Sequence, residues 1–152
     1  MSDVELTQEM PRPFVGIRRK VHTSELPTYF AEVLPKVMRW VYARGATPAS
    51  APIAVWCAMD MESGVADVHA GCFVDGELDG EGEITTGVTS GGDVLRVVHQ
   101  GGYDTMGESW GRVYGRAKEL GRRPGVGWEI YVDDPTAVPA EELRTEIHLP
   151  VE

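Results

Sequence analysis

Val94-Leu95-Arg96-Val97-Val98, then a helical stretch that stops at Gly121, a proline at Pro124 and the run Trp128-Glu129-Ile130-Tyr131-Val132: this order of signals occurs twice in the chain. Its earlier copy opens with Phe14-Val15-Gly16-Ile17, carries a helical stretch that stops at Gly45, passes Pro48 and continues as Ile53 to Met59. A glycine just past the last periodic residue, with a proline close behind, is how a helix ends and cannot resume. Each copy closes with one more apolar run, Val65 to Phe73 or Leu143 to Leu149. The sequence therefore predicts two β-α-β-β modules, residues 14–74 and 94–151, joined by an acidic, glycine-rich linker at 75–93. The fold class is α+β: pseudo-two-fold duplicated modules, antiparallel sheet with two main helices on one side.

The first helix is expected over about Glu25 to Arg44, with Ser24 as its N-cap and Leu26, Phe30, Val33, Val37 and Val41 as its apolar stripe. Pro35 falls inside it and should kink or split it. The second spans about Tyr103 to Leu120, with Met106, Trp110, Val113, Ala117 and Leu120 inward. Gly107, Gly111 and Gly115 recur along it at a cost of about 0.8–1 kcal/mol each. Either another backbone or a flat ligand approaches closely there, or tertiary packing tolerates them. Between the modules, Asp75 to Asp93 holds six glycines and six acidic residues. Ile84 to Val88 should be extended and Asp75 to Glu83 an exposed turn.

With 152 residues the chain is a single domain or two small halves, long enough to bury a core without a metal or disulfide. No apolar run reaches the length of a membrane span, and Met1 to Arg12 lacks a signal peptide's apolar stretch, so a cytoplasmic, stand-alone protein is expected. Cys57 and Cys72 lie in apolar runs as thiols rather than a disulfide pair. A net charge of −10 argues against a nucleic-acid partner, and the basic set Arg112, Arg116, Lys118, Arg122 and Arg123 reads as a solvated helix face. Any role in transcription would need a partner to supply the DNA contact.

Asp75-Gly76-Glu77-Leu78-Asp79-Gly80-Glu81-Gly82-Glu83 matches the start of a calcium loop, but Thr86 stands where the bidentate glutamate belongs, so a solvated segment is expected. His22, His69, His99 and His148 form no zinc pattern; His69 and His148 fall at equivalent places in the closing strands. No nucleophile elbow, phosphate loop or dinucleotide fingerprint is present, and neither metal nor cofactor is called for. What remains is a carboxylate among rings. In Trp128 to Val132 side chains alternate, so Trp128, Ile130 and Val132 form an apolar face expected to meet the helices, while Glu129 and Tyr131 share the opposite face. The repeat sets Ala54 against Glu129 and Trp56 against Tyr131. A carboxylate amid aromatic rings, with room left by Ala54 and Ala58, suits a flat organic cation.

His99-Gln100-Gly101-Gly102-Tyr103, the helix with Trp110 and Tyr114, Gly121, Trp128-Glu129-Ile130-Tyr131, Asp134-Pro135 and Leu143-Arg144-Thr145-Glu146-Ile147-His148-Leu149-Pro150 together resemble the GyrI-like small-molecule-binding family. This is the effector-binding domain of AraC-type and MerR-type multidrug regulators, also found free-standing. The likeness is specific over about residues 94–151 and loose before them. It implies a ligand cleft between the two modules, a ligand set of Glu129, Tyr131, Trp56, Tyr103, Trp110 and Tyr114, and a hydrophobic, cationic aromatic ligand bound for sensing or sequestration. The resemblance also implies two alternatives. One is a cofactor-independent hydrolase of strained-ring genotoxic compounds, with Glu129 as general base and a tyrosine (Tyr131, Tyr103 or Tyr114) for the oxyanion. The other is a protein-binding module like relatives that inhibit DNA gyrase.

Overall fold

The computed structural model describes residues 3–152, which divide into two compact units. One comprises Arg12–Thr89; the other joins the segment up to Pro11 to Ser90–Glu152. The second is named the acidic-site unit because it holds Glu129, the one buried carboxylate among the described residues, and the first the neutral unit because it holds none.

In the neutral unit the chain runs β2 (Pro13–His22), a 3-10 turn (Thr23–Glu25), α1 (Leu26–Ala43), β3 (Ile53–Asp60), β4 (Val65–Phe73) and β5 (Ile84–Val88), β1 belonging to the other unit. The strands pair antiparallel in the order β3, β4, β2, β5. In the acidic-site unit the elements are β1 (Glu5–Glu9), β6 (Gly92–Gln100), a 3-10 turn (Tyr103–Thr105), α2 (Met106–Glu119), β7 (Trp128–Tyr131) and β8 (Arg144–Pro150). Here the antiparallel order is β7, β8, β6, β1. Each unit is thus the expected β-α-β-β module with one added edge strand. The edge strand of the neutral unit comes from the segment read as a linker, at the extended stretch foreseen there. That of the acidic-site unit, β1, gave no sequence signal: Glu5-Leu6-Thr7-Gln8-Glu9 has one apolar residue, and its ladder to β6 holds it instead.

The helices sit where their stripes direct. α1 packs on β2 and β4, burying Tyr29, Val33, Val37 and Val41, and each fully buried valine contributes roughly 1.5–3 kcal/mol. Tyr29 was absent from the expected stripe; its hydroxyl donates to the Ile17 carbonyl at 2.5 Å and accepts from the Ala70 amide at 3.2 Å, so the ring reaches the sheet without leaving a polar atom unmet. Leu26 and Phe30 are only partly buried. Ser24 does not cap α1. It lies inside the 3-10 turn, its amide donating to His22 Nδ1 at 3.1 Å, and α1 begins a residue later without a side-chain cap. Pro35 does not split the helix, which runs unbroken from Leu26 to Ala43 with Pro35 on its exposed side.

α2 packs on β6 and β8, and Met106, Val113 and Ala117 join Leu95, Val97, Ile147, Leu149 and Val151 in one core cluster. Leu120, placed on the stripe, is 37% exposed just beyond the helix. Both helices end alike: Gly45 (φ 74°) and Gly121 (φ 64°) occupy the left-handed region. The next amides, Ala46 and Arg122, reach back to the Val41 and Ala117 carbonyls at 3.2 and 2.9 Å. Gly107, Gly111 and Gly115 are exposed, and a Cβ on any of them would meet nothing within 4 Å, so close backbone approach is not their reason. Gly115→Ala should therefore raise stability by about 0.8–1 kcal/mol, read as a shift of the urea midpoint at unchanged slope.

The acidic segment is exposed as expected, and part of it closes onto α1. Glu83 pairs with Lys36 at 2.6 Å and Arg19 at 3.4 Å, and Glu81 with Arg44 and the Trp40 indole. Arg116, Arg122 and Arg123 have carboxylate partners in Glu119, Asp93 and Glu152. No helix among the described residues is long and apolar enough to cross a membrane. None of their His, Cys, Asp and Glu side chains form a group of three or more that could hold a metal ion.

Candidate functional site

Sheet register decides which side of β7 meets the helix. Glu129 stands opposite Ile147, and Ile147 belongs to the core cluster under α2. Glu129 and Tyr131 therefore face α2, while Trp128 and Ile130 point to the other side of the sheet with His148 and Glu146. This inverts the expected facing. Alternation shows which residues share a face, not which face is covered, and here both are: Trp128 is 1% exposed and stacks on His148 with ring centroids 5.3 Å apart and planes at 8°.

The inversion has a chemical consequence. A carboxylate under a helix must find donors, and two are supplied. Trp110 of α2 donates its indole N–H to Glu129 Oε2 at 2.6 Å, and the Tyr131 hydroxyl donates to Oε1 at 2.6 Å. Glu129 is consequently buried, at 4% exposure, yet bonded through both oxygens. Further rings flank this centre. Tyr103 meets Tyr131 edge-on at 5.7 Å, and Tyr114, one turn along α2, lies 5.9 Å from Trp110. Tyr103 and Tyr114 are about half exposed, so the cluster grades from a buried carboxylate to solvent-facing rings. Burial, and then the negative charge of Glu129, pushes the Tyr103 phenol above its ordinary value, keeping it a neutral ring.

Five of the six residues singled out in the sequence (Glu129, Tyr131, Tyr103, Trp110 and Tyr114) thus belong to one cluster in the acidic-site unit. Trp56 belongs to the neutral unit, where Phe30 of α1 meets it edge-on at 6.3 Å. Sequence reasoning passed over His99, which is 2% exposed. Its Nδ1 bonds Ser109 Oγ at 2.7 Å, and Nε2 lies 3.0 Å from the Gly102 carbonyl and 3.1 Å from Thr105 Oγ1. These bonds tie the turn carrying Tyr103 to the sheet and to α2. The signal was available: His99 continues the alternation of Leu95 and Val97, which marks it as inward-facing.

The two units match position for position. Leu26 begins α1 after a 3-10 turn as Met106 begins α2, so Phe30 stands where Trp110 does. Counting back from the same turns, Ile17 corresponds to Val97 across the paired strands. Ile17 pairs with Ala70, which pairs with Ala54; Val97 pairs with Ile147, which pairs with Glu129. Ala54 therefore occupies the place of Glu129, and Trp56 that of Tyr131, as the repeat implied. The same register corrects the histidines: Glu146, not His148, corresponds to His69.

The fold is shared with solved structures. A solved structure of the EcmrR C-terminal domain superposes with a TM-score of 0.84 at 20% identity, covering 99% of this chain and 97% of that one. Against EcmrR in its DNA complex the TM-score is again 0.84, and the chain spans 57% of that protein's length. SAV2435, solved bound to tetraphenylphosphonium, superposes at 0.64 with 14% identity, over 99% and 94% of the two chains. A hydrolase from Listeria innocua does so at 0.65 with 11% identity, over 99% and 92%. At these identities the likeness is one of fold. No curated protein matches by sequence. The model of the GyrI-like small molecule binding domain matches residues 2–152, and the chain belongs to that family.

Proposed function

We infer that the protein binds lipophilic aromatic cations, as a sensor or a sequestering protein, and that Glu129 supplies the countercharge. The observation that carries this is the nearly buried carboxylate of Glu129, fixed by Trp110 and Tyr131 and surrounded by Tyr103 and Tyr114. A carboxylate fixed by two donors holds its negative charge in place beneath the flanking rings, so a cation docked on those rings is attracted to it, and the ring faces add cation–π attraction of about 0.5–2 kcal/mol. The tetraphenylphosphonium complex of SAV2435 supports this ligand class.

A hydrolase is the second reading, favoured by the 2.6 Å Glu129–Tyr131 pair and by the Listeria innocua hydrolase of the same fold. Glu129 would then take a proton from water while a tyrosine steadied the developing oxyanion. Binding is preferred because the Tyr131 proton is directed at Glu129, and an indole N–H can only donate, which commits the second carboxylate oxygen as an acceptor.

Titration with tetraphenylphosphonium, followed by tryptophan fluorescence, should give a saturable change. Styrene oxide incubated with the protein should be recovered at its original mass. Recovery of the epoxide with one water added, absent in a Glu129→Gln control, would favour the hydrolase; an unsaturable fluorescence change would remove the cation site.

A further inference from the structure

The neutral unit repeats the aromatic pair of the acidic-site unit with its polarity reversed. Where Trp110 and Tyr131 direct donors at Glu129, the corresponding residues are Phe30, which has no donor, Trp56 and Ala54. No acceptor side chain has replaced the carboxylate, yet a donor remains. Trp56 Nε1 is buried and has no hydrogen-bond partner among the described residues. A buried N–H without an acceptor is costly, and such a group requires an explanation. The strand supports a functional one. β3 shifts register between Trp56 and Ala58, a bulge at Cys57, whereas β7 ends at the corresponding Tyr131. Bulges re-aim side chains and concentrate beside binding sites. Phe30 meets this indole edge-on, and Ala54, two residues before Trp56 along the strand, is fully buried.

We propose that the neutral unit holds its own small-molecule subsite, in which the Trp56 indole N–H donates to a carbonyl or ring-nitrogen acceptor on a flat, uncharged aromatic compound. The bulge aims the donor, Phe30 supplies an aromatic wall, and the missing side chain at Ala54 leaves the acceptor to come from the ligand. Because the ring is only partly buried, entry needs a side-chain rearrangement of the size common on binding. The subsite goes beyond the cation function and does not depend on Glu129.

Fluorenone and fluorene share their rings and differ by one carbonyl oxygen, so they isolate the acceptor. Wild-type protein should bind fluorenone about five- to tenfold more tightly, the range of a neutral hydrogen bond. Trp56→Phe keeps a ring and removes the donor, and should equalise the two affinities. Glu129→Gln should leave the fluorenone preference unchanged while weakening cation binding, which separates failure of this subsite from failure of the cation site. In nitrogen-15-labelled wild-type protein, the Trp56 indole proton should move downfield with fluorenone and not with fluorene, a measurement that needs no variant. Equal wild-type affinities, a preference that survives in Trp56→Phe, or an indole proton unmoved by fluorenone would each overturn the proposal.

Discussion

Glu129→Gln should weaken binding of an aromatic cation at least tenfold while an uncharged ligand of the same shape loses far less. Trimethyl(2-naphthyl)ammonium and 2-tert-butylnaphthalene form such a pair. The substitution retains size and an acceptor for the Trp110 N–H, and the Tyr131 hydroxyl can rotate to meet the new amide, so packing is preserved. What disappears is the charge. A quaternary cation has no N–H to donate, so the loss is Coulombic, about 3 kcal/mol for opposite charges roughly 5–6 Å apart at an effective dielectric of about 20, and each 1.4 kcal/mol is a factor of ten in affinity. Isothermal titration of both proteins with both ligands gives the four constants required. Equal losses for the two ligands would show that the change disturbed packing alone, and no loss for either would remove Glu129 from recognition.

The second large effect lies on the opposite face of the same sheet. His148 is buried between two carboxylates, with Nδ1 2.8 Å from Glu9 and Nε2 3.0 Å from Glu146; Arg96 also reaches Glu146, at 3.3 Å. Burial by itself would lower the imidazole's proton affinity, but the hydrogen bonds to Glu146 and Glu9 and their charges outweigh it and raise it. Glu9 and Glu146 are held below the ordinary glutamate range: at Glu9 burial is the largest influence and opposes this, but the His148 bond and charge, the Thr7 bond and the Arg96 charge together outweigh it, while at Glu146 the His148 bond leads. A raised histidine stabilises fully below its unfolded value of about 6.5, and the contribution fades as pH rises through the folded value. The lowered glutamates act in the opposite sense, contributing above their unfolded value and failing as pH falls through their folded ones.

His148→Gln should therefore cost about 1.5–3 kcal/mol near pH 6, since it removes the charged partner of two part-buried carboxylates, of which Glu146 keeps Arg96. The difference from wild type should shrink as pH rises above 6.5. Urea midpoints of both proteins from pH 5 to 9 give this difference. Taking the difference matters because His69, whose buried ring has a lowered proton affinity, adds a slope of the other sign. A difference independent of pH would mean that His148 acts only through its stack on Trp128.

Glu9 shows where sequence reading stops. The periodic runs of α1 and α2, the glycine stops at Gly45 and Gly121 and the doubled β-α-β-β order were legible because backbone period and capping are local properties. β1 was not legible, since an edge strand with one apolar residue is held by its ladder and by the Glu9–His148 contact, and both partners lie far along the chain. Tyr29 was missed for a related reason: its ring is buried because the Ile17 and Ala70 backbone groups receive its hydroxyl, which spacing within α1 does not reveal.

The candidate site divides in the same way. Alternation along β7 determined that Glu129 and Tyr131 share a face, and the repeat matched Trp56 to Tyr131 and Ala54 to Glu129. Those are consequences of strand geometry and of duplicated order, which the amino-acid sequence carries by itself. Only tertiary structure decided that the shared face lies under α2, because the choice depends on which of two coverable faces the helix meets. That choice brings the Trp110 N–H to Glu129, turning a glutamate that could have been an ordinary solvated residue into a buried, oriented charge.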